Sequence, residues 1–236
     1  MNNKELILKI TDGNKARRIE KILSFIYKNY VIQTAKPRNT FPTSIDITNI
    51  IIPAKDQKNK IAIVAHHDVY PGSHGYNDNS SGVIILLKLQ QCLPDNVELV
   101  FTDGEERGGQ GCRYYLENYP RPTKAINIDV VGLGNKIFYE AYGQEYYGQE
   151  YYETYGGLFF TIPKSVEYYS HIPFSDSYIL ADYDVPNILL LTGSNKDHLI
   201  REIFEAQHTN KNDGKIDLIR EDIMNKVFDT VVGMIK

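Results

Sequence analysis

The sequence predicts a layered α/β domain. Short apolar runs of strand character alternate with helical patterns along the chain, and two of those runs lack any polar alternation. Ile61, Ala62, Ile63, Val64 and Ala65 form one such run, and Ile188 to Leu191 the other. Strands with no polar side are covered on both faces.

Each element has its own signal. Ile19, Ile22, Leu23 and Ile26 put one apolar stripe on a first helix whose other face is basic. Ile45, Ile47, Ile50, Ile51 and Ile52 mark a strand that Pro53 ends. Val83 to Leu89 is nearly all apolar and predicts a buried helix. Val97, Leu99, Val100 and Phe101 mark the next strand, residues 111–118 a helix, and Ala125, Ile126 and Ile128 another strand. The last helix is the clearest: Ile219, Ile223, Val227, Val231 and Ile235 recur every fourth residue, beside Met224, Phe228 and Val232. No linker interrupts the pattern, so residues 1–236 are expected to form one domain.

From Tyr142 the chain reads Tyr-Gly-Gln-Glu-Tyr-Tyr-Gly-Gln-Glu-Tyr-Tyr, a five-residue repeat too short for a solenoid. We read it as a locally duplicated surface loop or helix. Tyrosine area and glutamate charge over Tyr139 to Tyr155 suit a substrate rim.

The totals narrow the function classes. A net charge of -4 gives no footprint for nucleic acid. Two cysteines, Cys92 and Cys112, are no disulfide framework and fit a reducing compartment. The first residues lack the apolar core of a signal peptide, and no apolar run approaches the ~20 residues of a membrane span. The expected location is cytoplasmic, with no nucleic-acid or membrane partner.

The chemistry gathers where strands end. The run at 61–65 leads into His66-His67-Asp68, the run at 97–102 into Asp103-Gly104-Glu105-Glu106, and the run at 125–128 into Asp129. Ligand sites of open α/β sheets collect outside the carboxyl ends of strands, so these clusters can converge. Singly they are ordinary. An acid after a strand is usually a cap or turn residue, and a Glu pair is usually solvated. His66 and Asp68 stand two apart on an extended segment and share a face, so Asp68 can orient the His66 ring.

The joint pattern is more specific. His66-x-Asp68 is followed by Asp78-Asn79-Ser80-Ser81-Gly82 opening a helix, then Glu105-Glu106-x-Gly108, Asp129, and His208-Thr209 before the last helix. This order resembles the bacterial leucyl aminopeptidase and aminopeptidase Y family of co-catalytic two-zinc metallopeptidases, from about residue 60 to the end. Ser175-Asp176 and Val185-Pro186 also look like family features.

The resemblance implies a three-layer α/β/α sandwich around a mixed, mostly parallel sheet. It implies that Asp78 bridges two zinc ions, that His66 and Asp129 complete one site, and that Glu106 and His208 complete the other. Glu105 resembles the general base, and Asp68 the partner of His66. Zinc accepts imidazole and carboxylate ligands, keeps a position open for water, and lowers that water's pKa towards ~7. Cobalt or manganese also suits carboxylate-rich pairs.

The implied reaction removes N-terminal residues from short peptides, with a peptide or amino-acid amide as substrate. Glutaminyl cyclases share the fold and keep a single zinc. They are expected to lose ligands, whereas all five positions stand here. A non-catalytic binding module on the fold is expected to lose ligands or the base. His171, Tyr178 and Tyr183 are candidates for holding the oxyanion. The family's acid three residues after His208-Thr209 is replaced by Asn212, with Asp213 one place later.

Overall fold

The computed structural model describes residues 1–36, 46–142, 160–170, 172, 174–206, 213 and 215–236. His208, His171 and nearly all of the tyrosine-glutamate repeat lie outside the described residues.

The described residues form helices α1 (Asn3–Ile10) and α2 (Lys15–Leu23), then strands β1 (Val31–Ala35), β2 (Ile47–Ile52) and β3 (Ile61–His66). An irregular turn over Tyr76–Ser80 leads into α3 (Ser81–Leu89). β4 (Val97–Thr102), α4 (Gln110–Asn118), β5 (Lys124–Ile128), β6 (Lys136–Tyr142) and β7 (Val166–Tyr168) follow. The chain closes with α5 (Asp176–Asp182), β8 (Asn187–Gly193), α6 (Leu199–Ala206) and α7 (Glu221–Ile235).

The eight strands make one sheet in the order β1-β2-β4-β3-β5-β8-β6-β7. Its centre is parallel: β3 pairs with β4 and β5, and β5 with β8. β1, β2 and β6 run antiparallel to their inner neighbours, so the sheet is mixed. Every residue of β3, β4 and β8 is buried; the apolar runs of β3 and β8 require it, and in β4 the buried Glu98 pairs with buried Lys60 at 2.8 Å.

Alternate side chains feed two layers. Ile63, Leu99, Ile126, Ile188 and Leu190 pack with α3 and α7, the face to which α1 and α2 add Ile7, Ile10 and Ile22. Ala62, Val64, Val100 and Ala125 pack with Cys112, Tyr115 and Leu116 of α4 and with Ile179 and Leu180 of α5. Leu189 and Leu191 continue that second face towards Leu199 and Ile203 of α6. The result is the three-layer sandwich.

Three strands have no counterpart in the sequence reading. β1 is an edge strand with Val31 and Ile32 exposed. β6 and β7 mix charged and aromatic residues. β6 also begins the tyrosine-rich segment, and Tyr139 is buried in the sheet there rather than presented at a rim. Ile26 and Ile219 fall just beyond the helices whose stripes they seemed to extend.

Candidate metal and catalytic site

The parallel pairing β4-β3-β5 brings three strand ends side by side. His66 is the last residue of β3, Glu105 and Glu106 follow β4 by a short turn, and Asp129 directly follows β5. Asp78 comes from the Tyr76–Ser80 turn at the head of α3.

Ligand atoms of His66, Asp78 and Asp129 lie within 4.8 Å of one another, and all three residues are buried. His66 Nε2 stands 3.0 Å from Asp78 Oδ1 and 3.4 Å from Asp129 Oδ1. Neither Nε2 nor Asp129 Oδ1 has an aligned hydrogen-bond partner among the described residues. Buried polar atoms are normally satisfied. Two such atoms beside the Asp78 carboxylate suit a cation, and the donor set of one imidazole and two carboxylates suits zinc.

The other ring nitrogen of His66 faces Asp68: Nδ1 lies 3.2 Å from the Asp68 carbonyl and 3.4 Å from its Oδ1. The Asp68 carboxylate also accepts the backbone N–H groups of Glu105 at 3.1 Å and Glu106 at 3.2 Å. One side chain thus ties the end of β3 to the turn after β4. That turn opens at Gly104, whose φ of 73° favours glycine, and so bends sharply enough to present Glu105.

Electrostatics follow the crowding. Burial opposes charge on His66, but Asp129, Asp68 and Asp78 outweigh it and hold the imidazole well above its usual range. Burial, with the charges of Glu106 and Asp129, pushes Asp78 up to about 7 against His66. Burial raises Glu105 well above the carboxylate range, helped by Asp129, Asp176 and Asp78 and opposed by His66. Asp68 goes the other way. Burial works against its charge, but His66 and the Glu105 N–H hold it at about 2.

Two further residues belong to the surroundings. Asp176 is buried at the start of α5, where its Oδ2 accepts from Thr102 Oγ1 at 2.5 Å. Burial pushes its carboxyl up to about 7, with Asp68 and Asp129 adding to the shift and Thr102 and His66 opposing it. Asp213 accepts the backbone N–H of Gly75 at 2.8 Å, of Asn77 at 2.7 Å and of Asp78 at 3.1 Å. The acid displaced by one place in the sequence therefore holds the loop that carries Asp78.

Of the proposed oxyanion donors, Tyr178 gives its hydroxyl to the Ile172 carbonyl at 3.1 Å. Tyr183 bonds to Glu117 and packs against Arg113 and Arg121 on α4 and beyond it. A cavity of about 300 Å³ is lined by Asn77, Val130, Leu133, Thr192, Glu202 and Ile203 among others; Asn77 and Val130 are the chain neighbours of Asp78 and Asp129.

An α/β/α sandwich with a buried imidazole–carboxylate cluster at its central strand ends is the architecture of a metallohydrolase. The chain belongs to peptidase family M28, whose model matches residues 49–234. Among solved structures it is similar to the zinc aminopeptidase BSAP from Bacillus subtilis, with 21% identity and a TM-score of 0.62 over 81% of this chain and 50% of that one. It thus spans about half the length of that enzyme. It is also similar to glutaminyl cyclase from Bacteroides thetaiotaomicron, with 19% identity and a TM-score of 0.71 over 99% of this chain and 96% of that one. The Legionella pneumophila aminopeptidase LapA has 16% identity and a TM-score of 0.69, with 99% of this chain and 69% of that one covered. No curated protein sequence matches the chain. No helix among the described residues is long and apolar enough to cross a membrane.

Proposed function

We propose that the chain is a two-zinc aminopeptidase acting on short peptides. The carrying observation is the convergence of His66, Asp78 and Asp129 beside a buried Glu105, in a chain of family M28. In this reading His66, Asp78 and Asp129 would hold one ion, and Asp78, Glu106 and His208 the other. The bound ions supply Lewis acidity and an acidified water.

The residues of the chain do the rest. Asp68 fixes the His66 ring so that Nε2 faces the cluster. Glu105, raised by burial and by its carboxylate neighbours, is suited to take a proton from the attacking water and return it to the leaving amine. The cavity that Asn77 and Val130 help to line has apolar walls in Val130, Leu133 and Ile203 for the first side chain. Glu202 at its edge supplies carboxylate charge towards a free α-ammonium.

A second reading, glutaminyl cyclisation, draws on the likeness to the Bacteroides cyclase, which covers 99% of this chain with a TM-score of 0.71. Mass spectrometry of Gln-Ala-Ala, Leu-Ala-Ala and acetyl-Leu-Ala-Ala after incubation with the zinc-loaded protein separates the two. The account expects free leucine and glutamine and an intact blocked peptide. Loss of ammonia from Gln-Ala-Ala, with Leu-Ala-Ala intact, would replace the aminopeptidase by a cyclase.

A further inference from the structure

Arg18 lies in α2, before the residues that the family model matches, and its side chain is buried beneath the site. Its Nε donates to the carbonyl of His67 at 2.6 Å, and its Nη2 donates to Ser80 Oγ at 2.9 Å. One acceptor sits directly after His66 on the chain that leaves β3. The other sits at the end of the turn that carries Asp78. The charges of Asp68, Asp213, Asp78 and Asp12 favour the charged guanidinium against the cost of its burial. Lys15, one turn earlier in α2, reaches Asp103 and the Asp46 carbonyl, so the helix is anchored beneath the strand ends at two points.

We propose that Arg18 is a positioning residue of the metal centre, a buried fork that locks the His66 strand end to the Asp78 turn and sets a fixed positive charge under the carboxylates. The proposal rests on the zinc reading above. A guanidinium suits the task because its donors are planar and fixed, so one side chain can hold two acceptors at a set separation. Removing one partner of a buried ionic network is costly because it leaves the other charges uncompensated.

The test is the zinc dissociation constant, measured by competition with a chelating indicator on full-length protein shown to be folded by circular dichroism. The set is wild type, Arg18→Met, Arg18→Lys, Ser80→Ala and, as a control for helix packing alone, Ile22→Ala. Outer residues that hold metal ligands are typically worth about 10–100-fold in affinity. Arg18→Met is therefore expected to bind zinc about 10–100-fold more weakly. Arg18→Lys should fall between it and wild type, since it keeps the charge and loses the fork. Ser80→Ala should weaken binding severalfold, and it decides the question if Arg18→Met does not fold. Ile22→Ala should lower the melting temperature without changing affinity. Wild-type affinity in Arg18→Met and Ser80→Ala, or a loss in Ile22→Ala as large as in Arg18→Met, overturns the proposal. Wild-type protein that takes up no zinc overturns the metal reading first, and the proposal with it.

Discussion

Asp68 and Glu105 are joined through the backbone: the Asp68 carboxylate accepts the Glu105 N–H at 3.1 Å while its other contacts are the Glu106 N–H and Nδ1 of His66. A single acid therefore sets both the imidazole that faces Asp78 and Asp129 and the turn that presents Glu105. Asp68→Asn keeps the shape but replaces one accepting oxygen by a donor. The expected result is a loss of about 10–100-fold in zinc affinity or turnover, read by metal competition and by aminoacyl p-nitroanilide hydrolysis. Wild-type values in both would remove Asp68 from the site.

Asp213 is predicted to matter for folding as well as for the site. Its carboxylate satisfies the N–H groups of Gly75, Asn77 and Asp78. A buried donor left without an acceptor costs about 1–3 kcal/mol. Asp213→Ala is expected to destabilise the metal-free protein by at least about 2 kcal/mol in urea unfolding, and Asp213→Asn by less. Unchanged midpoints would mean that the loop holds its shape without this residue.

Gly82 packs where the segments that carry Asp78 and Asp129 meet. A Cβ there would lie 2.5 Å from Asn79 Oδ1 and 2.7 Å from the Ile128 carbonyl, next to Asp78 and Asp129 respectively. The Asn79 amide also donates to that carbonyl at 2.8 Å. Gly82→Ala is expected to cost about 1–3 kcal/mol from overpacking and to weaken zinc binding, measured by thermal melts with and without zinc. An unchanged zinc-dependent shift in melting temperature would contradict the second half.

Proton linkage gives a signed prediction. Asp78 and Asp176 are raised to about 7 from 3.8, and His66 is raised well above 6.5. Groups that hold protons more tightly in the folded state stabilise it fully below their unfolded values, and this contribution is lost as pH rises through the folded ones. The metal-free protein should therefore lose stability between about pH 4 and 7 through the two carboxyls, and further above about pH 6.5 through His66. Zinc needs bare ligands, so its affinity should rise over the same window and its binding should release protons. Calorimetry in buffers of different ionisation enthalpy checks this, and binding without proton release would contradict it.

Much of this was legible in the sequence, for physical reasons. β3 and β8 are buried on both faces and read as uninterrupted apolar runs. The strand-end acids and His66 followed from where those runs stopped. β1, β6 and β7 were not legible, because an exposed edge strand and strands rich in aromatic and charged residues carry no clean period. Helix α1 had a signal that went unread: Asn2 and Glu5 form a capping box. Arg18 stands four residues before Ile22, on the side of the apolar stripe, and turns inward. Helical periodicity reports which face is apolar, and it is silent about a cation drawn in by buried acceptors.

The central claim is that this fold holds catalytic zinc with Glu105 as the base. The most direct test is zinc content together with amino-acid p-nitroanilide hydrolysis, for wild type and Glu105→Gln. The account predicts about two zinc per chain in both proteins and activity that collapses only in the variant. Full activity in a Glu105→Gln protein that still holds its zinc, or a wild type that stays inactive and metal-free after zinc is added, would contradict it.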